Sequence, residues 1–94
     1  MAYQVFKVNR LKKVLRKLPR RLQAELDAEI ERISNDPLIG ELKHGDLARI
    51  RVHKFNYQGT QYLIAYLTDE KEETVTIIAI GPHENFYRDL KRYL

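Results

Sequence analysis

The chain has 94 residues, of which 44% are hydrophobic and 32% charged, and 17 Lys and Arg against 13 Asp and Glu give a net charge of +4. This length allows one core, so we expect a single domain over residues 1–94. The absence of cysteine excludes disulfides, thiolate nucleophiles, iron–sulfur clusters and cysteine zinc sites. The longest apolar runs, 62–67 and 77–80, are too short to cross a bilayer, so we expect a cytoplasmic protein without a membrane partner.

The first half of the sequence predicts a strand and two helices. Residues 3–8 alternate like a strand, and Asn9 is a favourable N-cap for the helix that follows. Pro19 ends this first helix and can begin the second, which Asn35-Asp36-Pro37 ends. The apolar positions of the first helix are Leu11, Val14, Leu15 and Leu18. Those of the second are Leu22, Leu26, Ile30 and Ile33.

The second half predicts three strands and a short helix. The stretches rich in β-forming residues are 48–53, 60–68 and 74–80. Turns are expected at 57–59 and 69–73, and Gly81-Pro82 ends the last strand. Helical spacing within 85–93 relates Phe86, Leu90 and Tyr93. The order β-α-α-β-β-β-α predicts an α+β fold: a small, mostly antiparallel four-stranded sheet with its helices on one face, backed by the N-terminal helical hairpin.

The positive charge is concentrated in the first helix. Residues 1–24 contain eight Lys and Arg and no acid, whereas residues 25–46 contain seven acids and only two Lys and Arg. So one-sided a run fits either a surface that binds polyanions or a solvated helix face.

Two further groups of residues could carry chemistry. Arg49, Arg51 and His53 alternate, so a regular strand would place them on one face, with the outer two about 13 Å apart, where they could follow the phosphates of a nucleic acid or face solvent. His83 and Tyr87 are four apart and can share a helix face. An imidazole can donate or accept a proton near neutral pH, although either side chain could be purely structural.

The sequence resembles the RelE/ParE superfamily of toxins from type II toxin–antitoxin systems, over essentially its whole length. The resemblance is carried by Leu42-Lys43, Ala48-Arg49-Ile50-Arg51-Val52, Tyr62-Leu63-Ile64-Ala65-Tyr66 and, most specifically, Gly81-Pro82-His83-Glu84-Asn85-Phe86-Tyr87. It implies a RelE-like fold and an acidic antitoxin partner. RelE-like members cleave messenger RNA in the ribosomal A site without a metal or other cofactor, whereas ParE-like members share the fold but inhibit DNA gyrase.

The resemblance also implies roles for individual residues. The catalytic candidates are His83, Tyr87 and Arg51, and the candidates for phosphate binding are Arg49, Lys43, His53 and Lys54. The basic helix expected to contact ribosomal RNA carries Lys12, Lys13, Arg16, Lys17, Arg20 and Arg21. Many RelE proteins have an arginine in the next strand, but the run Gln61 to Tyr66 has no cation, so Arg49, Arg51 or another cation would have to meet the transition-state charge.

The resemblance therefore predicts a ribosome-dependent endoribonuclease that inhibits translation. The RNA supplies its own nucleophile, the 2′-hydroxyl, which attacks the adjacent phosphate. Two alternatives belong to other classes: a ParE-like inhibitor of DNA gyrase, and a module that binds RNA without cleaving it.

Overall fold

The elements follow the predicted order, with one strand added. The computed structural model describes residues 2–92, so Tyr93 lies outside the described residues. The helices are α1 (Asn9–Arg16), α2 (Arg20–Asn35) and α3 (Phe86–Lys91), with a single 3₁₀ turn at Gly45–Leu47. The strands are β1 (Gln4–Lys7), β2 (Glu41–Leu42), β3 (Arg51–Tyr57), β4 (Thr60–Asp69) and β5 (Thr74–Pro82). The predicted α+β class and the predicted order of elements are confirmed.

The sheet has five strands rather than the predicted four, in the order β1-β5-β4-β3-β2. It is mixed, because β1 runs parallel to β5 while all other neighbours are antiparallel. The added strand, β2, consists of two residues, and its pairs are Glu41 with Val52 and Leu42 with Arg51. Two residues show no alternation, so the sequence pattern could not reveal this strand.

Both faces of the sheet are covered, which corrects the prediction that all helices lie on one face. On the helical-hairpin face, α1 and α2 pack on β4 and β5 through a cluster that includes Leu26, Ile64 and Tyr66. On the opposite face, called the α3 face, Leu63 and Ala65 pack with Phe86 of α3. Residues 63–66 are all buried, so their continuous apolar run belongs to a strand covered on both sides.

Two local predictions about the first helix are wrong. Asn9 is already the first helical residue of α1, and Val8 precedes it as the N-cap with no side-chain hydrogen bond. Val14 is 48% exposed, while Leu11 is buried. The eight-residue helix therefore buries a narrower stripe than its apolar spacing suggests. Within residues 2–92, no helix has the length and apolar composition needed to cross a membrane.

The turns confirm the local sequence signals. Gln58 and Gly59 have φ values of 49° and 78° and join β3 to β4 as a two-residue loop between the paired residues Tyr57 and Thr60. Two consecutive positive φ values match the twist of a tight β-hairpin. In the turn after β4, the Glu72 N–H donates a hydrogen bond to Asp69 Oδ1 at 3.0 Å.

Candidate active site

His83 and Tyr87 meet although they do not share a helix face. The helix α3 begins only at Phe86, but the rings of His83 and Tyr87 lie edge to face with their centroids 6.3 Å apart. Asn85 has a left-handed backbone with φ 63°, and the Phe86 N–H donates to the His83 carbonyl at 3.2 Å. This turn folds the histidine back over the first residues of α3.

His83 is exposed but its backbone is anchored. Its N–H donates to the Gln61 carbonyl at 2.9 Å, which continues the pairing of β4 with β5 beyond Pro82. The imidazole is therefore accessible to solvent on a backbone that the sheet holds in place. That is a suitable arrangement for a group that exchanges protons with a bound substrate.

Lys43, which directly follows β2, lies close to the ring of Tyr87. Its N–H donates to the Ile50 carbonyl at 2.9 Å, and its Nζ lies 5.1 Å from the centroid of the Tyr87 ring, within the range of a cation–π interaction. Glu41 Oε1 accepts a hydrogen bond from Nζ at 2.5 Å. The Tyr87 ring thus lies near both the His83 ring and the Lys43 ammonium group.

Hydrogen bonding couples the ionisation of Lys43 and Glu41. The hydrogen bond to Glu41 raises the pKa of Lys43, a desolvation effect opposes it, and an interaction with the Tyr87 side chain adds to the rise. The same hydrogen bond and the charge of Lys43 lower the pKa of Glu41, with smaller contributions from the charges of Lys54 and His44. An ion pair between Lys43 and Glu41 therefore lies at the rim of the site.

Lys54 joins this site from β3. It pairs with Leu63, whose side chain belongs to the cluster on the α3 face, and its own side chain is exposed. Its charge is close enough to Glu41 to lower the pKa of that carboxyl group. The α3 face therefore brings together four of the predicted site residues, namely His83, Tyr87, Lys43 and Lys54.

The predicted cationic strand face does not form. Arg49 precedes β3 and has a positive φ of 75°, so it drops out of the strand alternation. Arg51 pairs with Tyr66 and His53 with Ile64, and both of these partners belong to the cluster on the helical-hairpin face. The prediction that the three side chains share one solvent-facing surface is wrong, because the strand begins later than its alternation suggests and α2 covers that face.

Arg51 and His53 have partners on the helical-hairpin face, away from His83 and Tyr87. Arg51 Nη1 donates to the Gly40 carbonyl at 2.9 Å and to the Leu38 carbonyl at 3.4 Å. His53 is 8% exposed, and its Nε2 lies 2.7 Å from Oε1 of Glu29 in α2. We therefore leave Arg51 out of the catalytic set and His53 out of the phosphate-binding set. Sequence reasoning missed Glu29 because it is one of several acids on α2.

Arg49 lies at the same groove as Arg51, away from His83 and Tyr87. It is exposed and lines an open groove of about 680 Å³ together with Arg51, Leu42, Leu67 and Asp69. Neither His83 nor Tyr87 lines this groove. The role of Arg49 in phosphate binding stays a prediction.

The basic surface predicted from the first quarter of the sequence is solvent-exposed. Three of its residues lie in α1, one follows it, and two begin α2. The first turns of both helices contain no acid. The exposed residues are Lys12, Lys13, Arg16, Lys17, Arg20 and Arg21. In the described part of the chain, no group of three or more His, Asp or Glu residues is placed to hold a metal ion.

Comparisons with known proteins agree with this architecture. No curated protein matches the chain. A solved toxin–antitoxin complex, RelBE2 from Mycobacterium tuberculosis, matches with 27% identity and a TM-score of 0.71 over 88% of this chain and 100% of that chain. The free Escherichia coli toxin RelE, as a double arginine mutant, matches with 21% identity and a TM-score of 0.77 over 100% of this chain and 99% of that chain. The intact E. coli RelBE complex matches with 23% identity and a TM-score of 0.73 over 88% and 99%.

The two E. coli structures show that the fold is RelE-like, and a family model shows to which family the chain belongs. The model of the ParE-like toxin of type II bacterial toxin–antitoxin systems matches residues 5–91, which is nearly all of the chain. The protein therefore belongs to the ParE-like toxin family of the RelE/ParE superfamily and is a toxin of a type II toxin–antitoxin system with a RelE-like fold.

Proposed function

We propose that this toxin is a ribosome-dependent endoribonuclease of the cytoplasm that cleaves messenger RNA in the ribosomal A site and so inhibits translation. The observation that supports this proposal best is the meeting of His83, Tyr87 and Lys43 at one edge of the α3 face. RNA cleavage without a metal is helped by a group that moves protons and by a cation that stabilises the transition-state charge, and an aromatic ring can stack on a base of the substrate.

The reaction uses the RNA's own 2′-hydroxyl as nucleophile. Its oxygen forms a bond to the adjacent phosphorus while the bond to the 5′-oxygen breaks, which leaves a 2′,3′-cyclic phosphate and a free 5′-hydroxyl. One proton leaves the 2′-hydroxyl and one reaches the 5′-oxygen. His83 performs one of these two transfers, and the pH dependence of kcat distinguishes them, since a base must be neutral and an acid must be protonated.

Cations on the α3 face meet the charge that grows on the phosphoryl oxygens. Lys43 and Lys54 lie on this face. Lysine is an ammonium group at neutral pH, and the hydrogen bond to Glu41 raises the pKa of Lys43 further. Lys54 pairs with Leu63 in β4 and therefore lies beside the run of residues 61–66 that has no cation. The lysines, rather than Arg51, take the place of the missing arginine. Tyr87 offers its ring to a base of the messenger by stacking, as aromatic side chains do with single-stranded RNA.

Two histidine variants test the proposal. His83→Ala is expected to lower the rate of messenger cleavage by about 10²–10⁴-fold, while His44→Ala, which removes an equally exposed histidine, keeps most of the activity. Cut sites are mapped on ribosome-bound messenger after brief expression of each protein. Unchanged cutting by His83→Ala would remove this histidine from the mechanism.

The exposed basic surface of α1 is proposed to bind ribosomal RNA. Each Lys or Arg that contacts a phosphate contributes to affinity through counterion release, so binding weakens as salt rises. Changing Lys12, Lys13, Arg16 and Lys17 together to Glu should weaken association with ribosomes and flatten its salt dependence. Lys13→Glu alone should act in the same direction, whereas the control Lys71→Glu, in the turn after β4, should not. Equal effects of these two single variants would contradict a specific surface.

An acidic antitoxin is the proposed protein partner. The M. tuberculosis and E. coli relatives are toxins solved with RelB-type antitoxins, and the cationic surfaces of this chain suit an acidic polypeptide. Co-expression with a small acidic protein encoded by an adjacent gene should abolish growth arrest and yield a complex that copurifies. Growth arrest that persists with that protein bound would count against it as the antitoxin.

Inhibition of DNA gyrase is the second candidate, because the family model that matches the chain is ParE-like. This function needs no proton transfer, so His83→Ala would stay toxic. Growth arrest would then come with DNA breaks and with intact messenger. RNA binding without cleavage by either His83→Ala or the unmodified toxin would instead indicate a non-catalytic RNA-binding protein.

A further inference from the structure

The segment between α2 and β2 carries Lys43 into the site, yet burial of its side chains does not hold it. Residues 36–40 form this segment, and its two aliphatic side chains, Leu38 and Ile39, are 51% and 36% exposed. The strand that follows, β2, has only two residues. Something other than apolar packing must fix the path of the chain here.

Two side chains on the helical-hairpin face hold this segment through its backbone. The hydroxyl of Tyr66, a fully buried residue, accepts a hydrogen bond from the Gly40 N–H at 2.8 Å and donates one to the Pro37 carbonyl at 2.8 Å. Arg51 donates to the Gly40 carbonyl at 2.9 Å. Both backbone polar groups of Gly40 are therefore bonded to side chains of β3 and β4.

Gly40 also shows how closely this segment is fitted. A Cβ atom at this position would lie 2.6 Å from the Tyr66 hydroxyl oxygen and 2.9 Å from an atom of its ring. Neither contact is possible without movement, because Tyr66 is fixed in the core. Only glycine lets the backbone come this close to the tyrosine.

We infer that Tyr66 and Arg51 are positioning residues that hold Lys43 over Tyr87 from the opposite face of the sheet. Fixing Gly40 sets where β2 begins, and β2 leads within three residues to Lys43, whose Nζ lies 5.1 Å from the Tyr87 ring. The effect on catalysis rests on the proposed function, whereas the placement of Lys43 does not.

The placement is measured by NMR on the full-length protein after reductive ¹³C-methylation of its lysines, with the Lys43 signal assigned from Lys43→Arg. Because Nζ lies against an aromatic ring, its methyl signal should be displaced from those of the exposed lysines. In Tyr66→Phe, at least half of this displacement should be lost. Tyr62→Phe is the matched control, since the Tyr62 hydroxyl, in the same strand, makes no hydrogen bond within residues 2–92.

A Lys43 signal that stays in place in a folded Tyr66→Phe protein would overturn the inference. If that variant fails to fold, Arg51→Met is the variant that decides, because Arg51 is only half-buried. Its loss removes the donor to the Gly40 and Leu38 carbonyls and leaves both hydrogen bonds of the Tyr66 hydroxyl in place. Half the displacement or more should again disappear, and an unchanged signal would be equally decisive against the inference.

The catalytic consequence is tested by combining variants. Tyr66→Phe should lower kcat for messenger cleavage about 10-fold, within the ~100-fold that a misplacement of 1 Å can cost, with little change in KM. In a Lys43→Met background it should cause no further loss, because Tyr66 acts through Lys43. Losses that multiply would refute this role. A wild-type protein that cleaves no messenger would overturn the proposed function, while the NMR result would still decide the placement of Lys43.

Discussion

Replacing His53 by Leu is expected to weaken the fold and to leave RNA cleavage unchanged. His53 is 8% exposed, and its Nε2 lies 2.7 Å from Oε1 of Glu29, whose side chain is 13% exposed. Leu has a similar volume, so the main loss is one hydrogen bond to a charged group, worth about 1.5–3 kcal/mol. Glu29 keeps its contact with Arg32 at 3.6 Å, but exposed pairs of this kind contribute at most about 1 kcal/mol.

We therefore expect the free energy of unfolding to fall by about 2 kcal/mol, which corresponds to a drop in Tm of roughly 8–16 °C for a domain of this size. Urea unfolding of wild type, His53→Leu, Glu29→Leu and the double variant measures this change. The double variant should recover part of the loss, because replacing both partners by apolar groups leaves no unpaired charge.

The same proteins are assayed for messenger cleavage at a temperature where all are folded. His53→Leu should cleave at the wild-type rate, in contrast to His83→Ala. A His53→Leu protein with wild-type stability and impaired RNA binding would refute the structural role of this histidine and restore the sequence-based prediction that it contacts phosphate.

Three other changes have defined outcomes. Burial raises the pKa of the Tyr66 hydroxyl above its ordinary value of 10.0. The unfolded chain therefore loses this proton first, and the free energy of unfolding should fall as pH rises above 10. Tyr66→Phe should flatten that fall in urea titrations between about pH 8 and 11. Glu41→Gln removes a carboxylate that competes with the phosphates of the messenger for Lys43, and it should lower the KM for messenger roughly twofold to fivefold. The pKa of Lys43 should fall toward its ordinary value in this variant. An unchanged KM at low salt would show that Glu41 does not compete with phosphate. Gln58→Asn suits the positive φ of the turn before Gly59 and should raise the free energy of unfolding by about 0.5 kcal/mol without affecting cleavage; a loss of stability in urea would contradict this reading of the turn.

Local patterns predicted the parts of the fold that local forces determine. The apolar stripe of α2 is buried as expected, from Leu22 to Ile33. The turn at residues 57–59 has the positive φ values that a tight hairpin needs. In each case the deciding interactions lie within a few residues along the chain, so the sequence contains them directly.

Whether a contact in the site could be predicted depended on how far apart its residues lie along the chain. His83 and Tyr87 are neighbours in sequence, and their meeting was predicted. The contact of Lys43 with Tyr87 depends on the two-residue strand β2, which pairs with β3. A strand this short leaves no periodic pattern in the sequence from which it could be predicted. Arg49 adopts a positive φ of 75°, which is uncommon for a residue other than glycine and has no signal in the sequence, so the alternation that related it to Arg51 did not hold.

The parallel pairing of β1 with β5 has a consequence for the synthesis of this protein. Gln4 pairs with Thr74 and Lys7 with Ile77, so β1 has no strand partner until β5, which is synthesised about 70 residues later, has also been made. Until then the helical hairpin has no β5 on which to pack, and folding depends on contacts between distant parts of the chain. Since His83 and Tyr87 follow β5 in the chain, their site can assemble only after β5 has been synthesised.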